Sequence, residues 1–156
     1  MNDSSSLPLA KKRIANLISK RFYSEHEIRT KLAKFSVEVT DEAIAWAKEQ
    51  GFIDDIRFCR AFIHDTLLLN PQGKRLVFSK LRKKGIQGTL IEKVLQEEYP
   101  KELEEELAFR VAQKYTKLLQ RDNEKTYIKL CGYLLRRGFP DELVYHVAKD
   151  VVNLDT

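Results

Sequence analysis

Apolar residues recur along the chain at spacings of three and four, and no stretch holds the strict alternation of a half-buried strand. The pattern predicts a protein made almost entirely of helices. A first helix over about Ala10–Arg21 gathers Ile14, Leu17 and Ile18 on one face. Ser24 then opens Ser-Glu-His-Glu, a capping box in which the serine oxygen takes a first-turn N–H and Glu27 reaches back to the cap. The helix it starts buries Ile28, Leu32 and Phe35. Thr40 or Asp41 is placed to cap a third helix carrying Ala43, Ile44 and Ala47, which stops at Gly51, a residue free to take the left-handed conformation that closes many helices.

The trio repeats. Ile56 to about Leu69, with Phe58, Phe62 and Ile63 apolar, is followed by Lys74–Lys84 and Thr89–Glu98, with breaks at Asn70-Pro71-Gln72-Gly73 and Gly85. A third set runs over about Leu103–Leu119, Glu124–Arg137 and Asp141–Val152. The ends of the three middle helices read KLAKF, KLRKKGI and YLLRRGF, which makes Leu32, Leu81 and Leu134 equivalent at separations of 49 and 53 residues. A helix of about ten residues nucleates poorly and buries little alone, so each trio needs its neighbours. The expectation is an all-α fold of three tandem three-helix repeats, stacked into an elongated, curved domain. A flexible tail over residues 1–9 precedes repeats at about 10–55, 56–102 and 103–153.

Hydrophobic residues make up 43% and charged residues 33% of the 156 positions, which is neither a disordered nor a membrane composition. No run approaches the roughly 18 apolar residues of a spanning helix, and the opening MNDSSSLPLAKKR lacks the apolar stretch of a secretory signal. A cytoplasmic location is expected. Cys59 and Cys131 stand far apart, without CxxC spacing, and read as small core hydrophobes. His26, His64 and His146 form no spaced cluster with cysteines or carboxylates. There is no GxxxxGK[ST] or GxGxxG phosphate loop, no HExxH and no GxSxG, so no catalytic, cofactor or metal site is expected. Asp54-Asp55 before Arg57 has the composition of a metal-dependent phosphodiester site, yet a helix beginning at Ile56 wants an N-cap and an acidic first turn at the same place.

Net charge is only +5, and its placement says more than its sum. KRLVFSKLRKK, from Lys74 to Lys84, carries six cations among eleven residues and no acid, with Leu76, Val77, Phe78 and Leu81 as an apolar docking face. Its last turn, Arg82, Lys83 and Lys84, is also where a helix dipole favours cations. Arg136-Arg137, Lys12-Arg13 and Lys20-Arg21 repeat the theme, and stacked trios could align them in a basic stripe. EEYPKELEEE, from Glu97 to Glu106, carries six acids against one lysine and marks a junction that repels phosphates. Phe22-Tyr23, Tyr127 and Tyr133 offer rings for base stacking, although aromatics at helical spacing usually belong to the core, as Trp46 also should.

The segments RFYSEHEIRTKL, GFIDDIRFCRAFI, GKRLVFSKLRKKGI and YIKLCGYLLRRGF, in that order, resemble the RecX family of bacterial recombination regulators over nearly the whole chain. Phe35 departs from the glycine usual after the first middle helix, and Asn70-Pro71-Gln72-Gly73 from a more basic linker. The resemblance implies three tandem three-helix repeats and a modulator, usually an inhibitor, of the RecA recombinase. Such a protein lies in the groove of the RecA filament and suppresses its ATP hydrolysis and strand exchange, with no enzyme activity of its own. On this expectation Arg75, Lys80, Arg82, Lys83 and Lys84 contact the RecA filament, and Arg57, Arg60, Arg136 and Arg137 are the next candidates. The same residues would touch single- and double-stranded DNA weakly and without sequence specificity. The alternative is a stand-alone helical DNA-binding protein. Its weakness is that the third helices, around EAIAWAKEQ, LIEKVLQEE and ELVYHVAKD, offer few side chains able to read base edges. A monomer is the default.

Overall fold

The computed structural model describes residues 3–119 and 123–152. Every regular element among them is a helix: α1 (Asp3–Ile18), α2 (Glu25–Lys31), α3 (Val37–Glu49), α4 (Asp55–Leu69), α5 (Lys74–Lys83), α6 (Gly88–Glu98), α7 (Lys101–Lys117), α8 (Asn123–Arg136) and α9 (Asp141–Val152). The capping box at Ser24 forms in full: Ser24 Oγ accepts from Glu27 N at 3.1 Å and Ser24 N donates to Glu27 Oε1 at 3.0 Å. Asp54 caps α4 through Oδ1, taking the N–H of Ile56 and Arg57.

Two boundaries differ from expectation. α1 begins at Asp3 and continues through Pro8, because the apolar face reaches back into the segment expected as a tail: Leu7 packs on the first core and Ala10 is fully buried in it. α3 begins one turn early. Ser36, not Thr40 or Asp41, is its N-cap, accepting the Val39 N–H at 3.2 Å. Thr40 is buried inside the helix, and Asp41 holds Arg29 at 2.8 Å, tying α2 to α3.

In each trio the outer helices pack on one another and the middle helix lies against the last. The buried side chains fall into three clusters, one per trio, with Leu32, Leu81 and Leu134 all fully buried at equivalent places. α7 bridges two of them, since Leu103 and Leu107 reach into the second cluster while Ala108 and Ala112 belong to the third. Burial pushes the Cys59 thiol up to about 11, which keeps it protonated and inert. The accessible surface is 10005 Å² for 18.2 kDa, against roughly 8,100 Å² for a compact monomer of that mass. Dividing the interior into three small clusters leaves more surface than one large core would.

Two seams join the trios, and they are built alike. In the first, Ser24 Oγ donates to the Lys84 carbonyl at 2.7 Å, and Asp55 Oδ1 accepts from the Glu25 N–H at 2.9 Å. In the second, the Gly73 N–H donates to the Arg137 carbonyl at 2.8 Å, and Glu104 Oε2 accepts from the Lys74 N–H at 2.8 Å. Each first-seam residue has its counterpart at the repeat spacing: Ser24 with Gly73, Glu25 with Lys74, Asp55 with Glu104, Lys84 with Arg137 and Gly85 with Gly138. In both, the C-terminal end of one middle helix plugs onto the N-terminal end of the preceding one. A carboxylate from the first turn of the following trio supplies the cap. Gly73, the N-cap of α5, has no side chain to cap with, so the orphan N–H groups there depend on Arg137 and Glu104.

The carboxylates in the seams work against burial. Desolvation raises both Asp55 and Glu104 above their ordinary range, against the pull of the backbone N–H that each accepts. The folded chain therefore holds these protons more tightly than the unfolded chain, and the stability linked to them is lost as pH rises through the raised value. Glu104→Gln keeps an oxygen for the Lys74 N–H but does not titrate, so its unfolding midpoint should gain on the parent's as pH rises above the ordinary carboxylate range of about 4. A margin that shrinks with pH would mean that Lys74, whose Nζ lies 3.9 Å away, outweighs desolvation. Glu104→Ala removes the acceptor altogether and should cost about 1–2 kcal/mol.

Candidate functional site

The basic residues expected to form a contact surface divide into two groups. Lys84 pairs with Glu27 at 3.3 Å across the first seam. Arg137, its counterpart, donates to the Pro71 carbonyl and to Asn70 Oδ1 across the second. Arg75 pairs with Asp141 at 3.1 Å, and Arg60 with Glu97 at 3.5 Å and Glu98 at 3.4 Å. Arg82 turns back to the Ile86 carbonyl at 2.8 Å and closes the end of α5. The Arg57 guanidinium lies over the Phe22 ring at 4.9 Å. Lys80, Lys83 and Arg136 carry no ion pair among the described residues. The Arg75 and Arg60 pairs are exposed and contribute little, so both can exchange partners. Lys84 and Arg137 are part of how the trios dock.

The acids sit elsewhere. Glu104 is buried in the second seam, Glu97 and Glu98 engage Arg60, and Glu98 also meets His64 Nε2 at 2.6 Å. Glu27 is lowered below its ordinary range: desolvation opposes this, but hydrogen bonds from Arg21 and Ser24 N and the nearby Lys84 charge prevail. Arg21 is therefore a structural residue of the first trio, and it also lies 3.6 Å from the Tyr23 ring centre.

With the acids drawn into seams and pairs, three surface grooves are left lined by cations and no carboxylate. One of about 580 Å³ on the first trio holds Lys12, Arg13 and Lys34 beside Leu9 and Phe35. One of about 490 Å³ between α4 and α5 holds Lys80, Lys83 and Lys84 beside Phe62. One of about 400 Å³ at the second seam holds Arg110, Lys114 and Arg137 beside Leu68, Leu69 and Leu118. Those three leucines are each more than three-quarters exposed. Lys34, Arg110 and Lys114 were not among the expected contacts. Arg110, which pairs with Glu106 at 2.7 Å, and Lys114 lie one turn apart on α7, but it takes the fold to bring them to Arg137, and Lys34 to Lys12 and Arg13. The aromatic candidates are mostly committed: Tyr23 is buried, Tyr115 stacks on Tyr133 at 4.1 Å, and Trp46 meets Phe52 edge-on at 5.4 Å. Among the described residues, no helix is long and apolar enough to cross a membrane.

Residues 54–95 match the second three-helix domain of RecX, and residues 102–147 match its third. The regulatory protein RecX of Clostridium beijerinckii is 30% identical over 158 residues, covering 98% of this chain and 73% of that protein. That of Caldanaerobacter subterraneus is 29% identical, covering 85% and 66%. Among solved structures, RecX from Lactobacillus salivarius superimposes with a TM-score of 0.85 at 18% identity, covering 97% of this chain and 99% of that one. A second crystal structure of regulatory protein RecX gives 0.82 at 24% identity, covering 92% and 73%, so the helical-repeat fold is shared well beyond sequence likeness. By the family domains matched and by its relatives, this chain belongs to the RecX family.

Proposed function

We propose that this chain is a regulatory protein that binds the RecA nucleoprotein filament in the cytoplasm and inhibits its ATPase and strand-exchange activities, acting as a monomer and without chemistry of its own. The observation that carries the reading is the set of three acid-free cationic grooves spread along the three trios. A filament repeats its acidic protein surface and its phosphates at intervals, and an extended stack meets it at several points, so weak contacts add through effective concentration. Weak, sequence-independent DNA contact accompanies this, as expected of lysines and arginines that meet phosphates but do not read bases.

The direct test is a titration of this chain into RecA hydrolysing ATP on single-stranded DNA. The expected result is a dose-dependent fall in hydrolysis at substoichiometric to near-equal amounts. An unchanged rate across a wide range of concentrations, with DNA binding retained, would favour a stand-alone DNA-binding protein instead.

A further inference from the structure

The groove between α4 and α5 holds one feature that the seams and ion pairs do not use. Gln72 lines it, is only 3% exposed, and has a side-chain oxygen that is buried with no hydrogen-bond partner. Its backbone carbonyl is taken by Tyr99 Oη at 2.7 Å, so the linker is held firmly while the amide is not. A buried acceptor without a partner is rare in a folded protein unless something else supplies the donor. A half-turn about the last torsion exchanges the two ends of the amide, so either end can be presented to the groove. Around it stand Phe62, whose ring is half-buried, the Thr66 hydroxyl, and Asn70, whose oxygen is already occupied by Arg137 and whose amide nitrogen is left to donate. Lys80 and Lys83 have no acid partner among the described residues, and no carboxylate lines the groove.

An occupant that uses every group here brings a negative charge for the lysines, a flat apolar surface for Phe62 and a hydrogen-bonding edge for the Gln72 amide. A bare phosphate has no flat apolar face for Phe62, and a duplex keeps its base edges paired and its faces stacked. We propose that this groove is a subsite for one unstacked nucleotide of a single strand, with its phosphate at Lys80 and Lys83, its base on Phe62 and the base edge at Gln72. The subsite rests on the nucleic-acid part of the reading above and gives that contact a preference for single strands which the lysines alone would not supply.

The test measures binding of the full chain, without RecA, to dye-labelled oligothymidylate of about 20 nucleotides and to an abasic strand of equal length and charge. Thymine stacks weakly and offers an N–H on its edge. The parent should bind oligothymidylate at least about threefold tighter than the abasic strand, the size expected for one hydrogen bond and part of a stack. Gln72→Met, close in shape and without polar atoms, should reduce that margin while leaving the thermal midpoint unchanged or higher. Lys80→Glu with Lys83→Glu should weaken both strands. Phe62→Leu, which keeps apolar volume but loses the flat ring, should also reduce the margin and carries the test if Gln72→Met fails to fold. Equal binding of the two strands by the parent, or a margin undiminished in Gln72→Met, overturns the subsite. Neither result bears on filament inhibition, which the ATPase titration reads without reference to base contact, and an inert chain in that titration leaves this measurement standing.

Discussion

Gly138→Ala should destabilise the chain by about 2–5 kcal/mol, with the loss falling on the docking of the third trio. Two contributions combine. Gly138 holds φ at +90, where an alanine costs about 1–2 kcal/mol. A Cβ there would lie 2.4 Å from both the nitrogen and the Cβ of Leu76, so α5 would have to move, at about 1–3 kcal/mol. The same chain contains the controls. Gly51, at φ +75 with nothing within 4 Å of its added Cβ, isolates the conformational part, so Gly51→Ala should cost about 1–2 kcal/mol. Gly73, at an ordinary φ of -75 but with an added Cβ 2.3 Å from the Gly138 carbonyl, isolates the close approach, so Gly73→Ala should cost about 1–3 kcal/mol. Urea unfolding of the three variants gives the order, and amide exchange at Gly73 and Arg75, which donate to Arg137 and Gly138, should rise in Gly138→Ala. If Gly138→Ala costs no more than Gly51→Ala, the tight packing at the second seam has no energetic weight.

The second large effect concerns binding. Reversing Lys80, Lys83 and Arg136 to Glu together should raise the amount of protein needed to inhibit the filament at least about tenfold. The salt slope of single-strand binding should fall by about 2, at roughly 0.7 for each phosphate that is no longer neutralised. Helical content should stay close to the parent's and the unfolding midpoint should fall only modestly, because none of the three has an ion pair to lose among the described residues and the loss is confined to the favourable place of a cation in a helix's last turn. Reversal at Lys84 or Arg137 is a different experiment. A carboxylate at position 84 would face Glu27, and one at 137 would meet the Pro71 carbonyl, so both seams would be damaged and weaker binding would say nothing about the contact surface. If the triple reversal inhibits like the parent, the filament is held by the first-trio groove or by the leucine-lined groove at the second seam.

Local patterns in the sequence were sufficient for the helices and for the equivalence of Leu32, Leu81 and Leu134, because capping boxes, apolar spacing and terminal glycines act over three or four residues. Ser36 escaped notice because its first turn offers Val39 where a capping box has Glu or Gln. The Asp54-Asp55 pair was legible only by half. Asp54 caps its own helix, whereas Asp55 caps a helix 30 residues back, a role no local rule contains. The repeat spacing held the missing signal, since the offset that relates Leu32 to Leu81 carries Asp55 onto Glu104. The basic stripe was the least legible part. Counting charges along the chain cannot show that Lys84 meets Glu27 from 57 residues away, or that Arg137 meets Pro71 from 66.

A stack whose neighbours touch through two glycines, one or two borrowed carboxylates and a handful of backbone bonds is modular in an evolutionary sense. Duplicating or deleting a whole trio demands that a plug find a socket of the same shape and that the incoming first helix lend its leucines to the core before it, as α7 does with Leu103 and Leu107. Length in such proteins can therefore drift by units of about fifty residues while the reach along a polymeric target is tuned trio by trio.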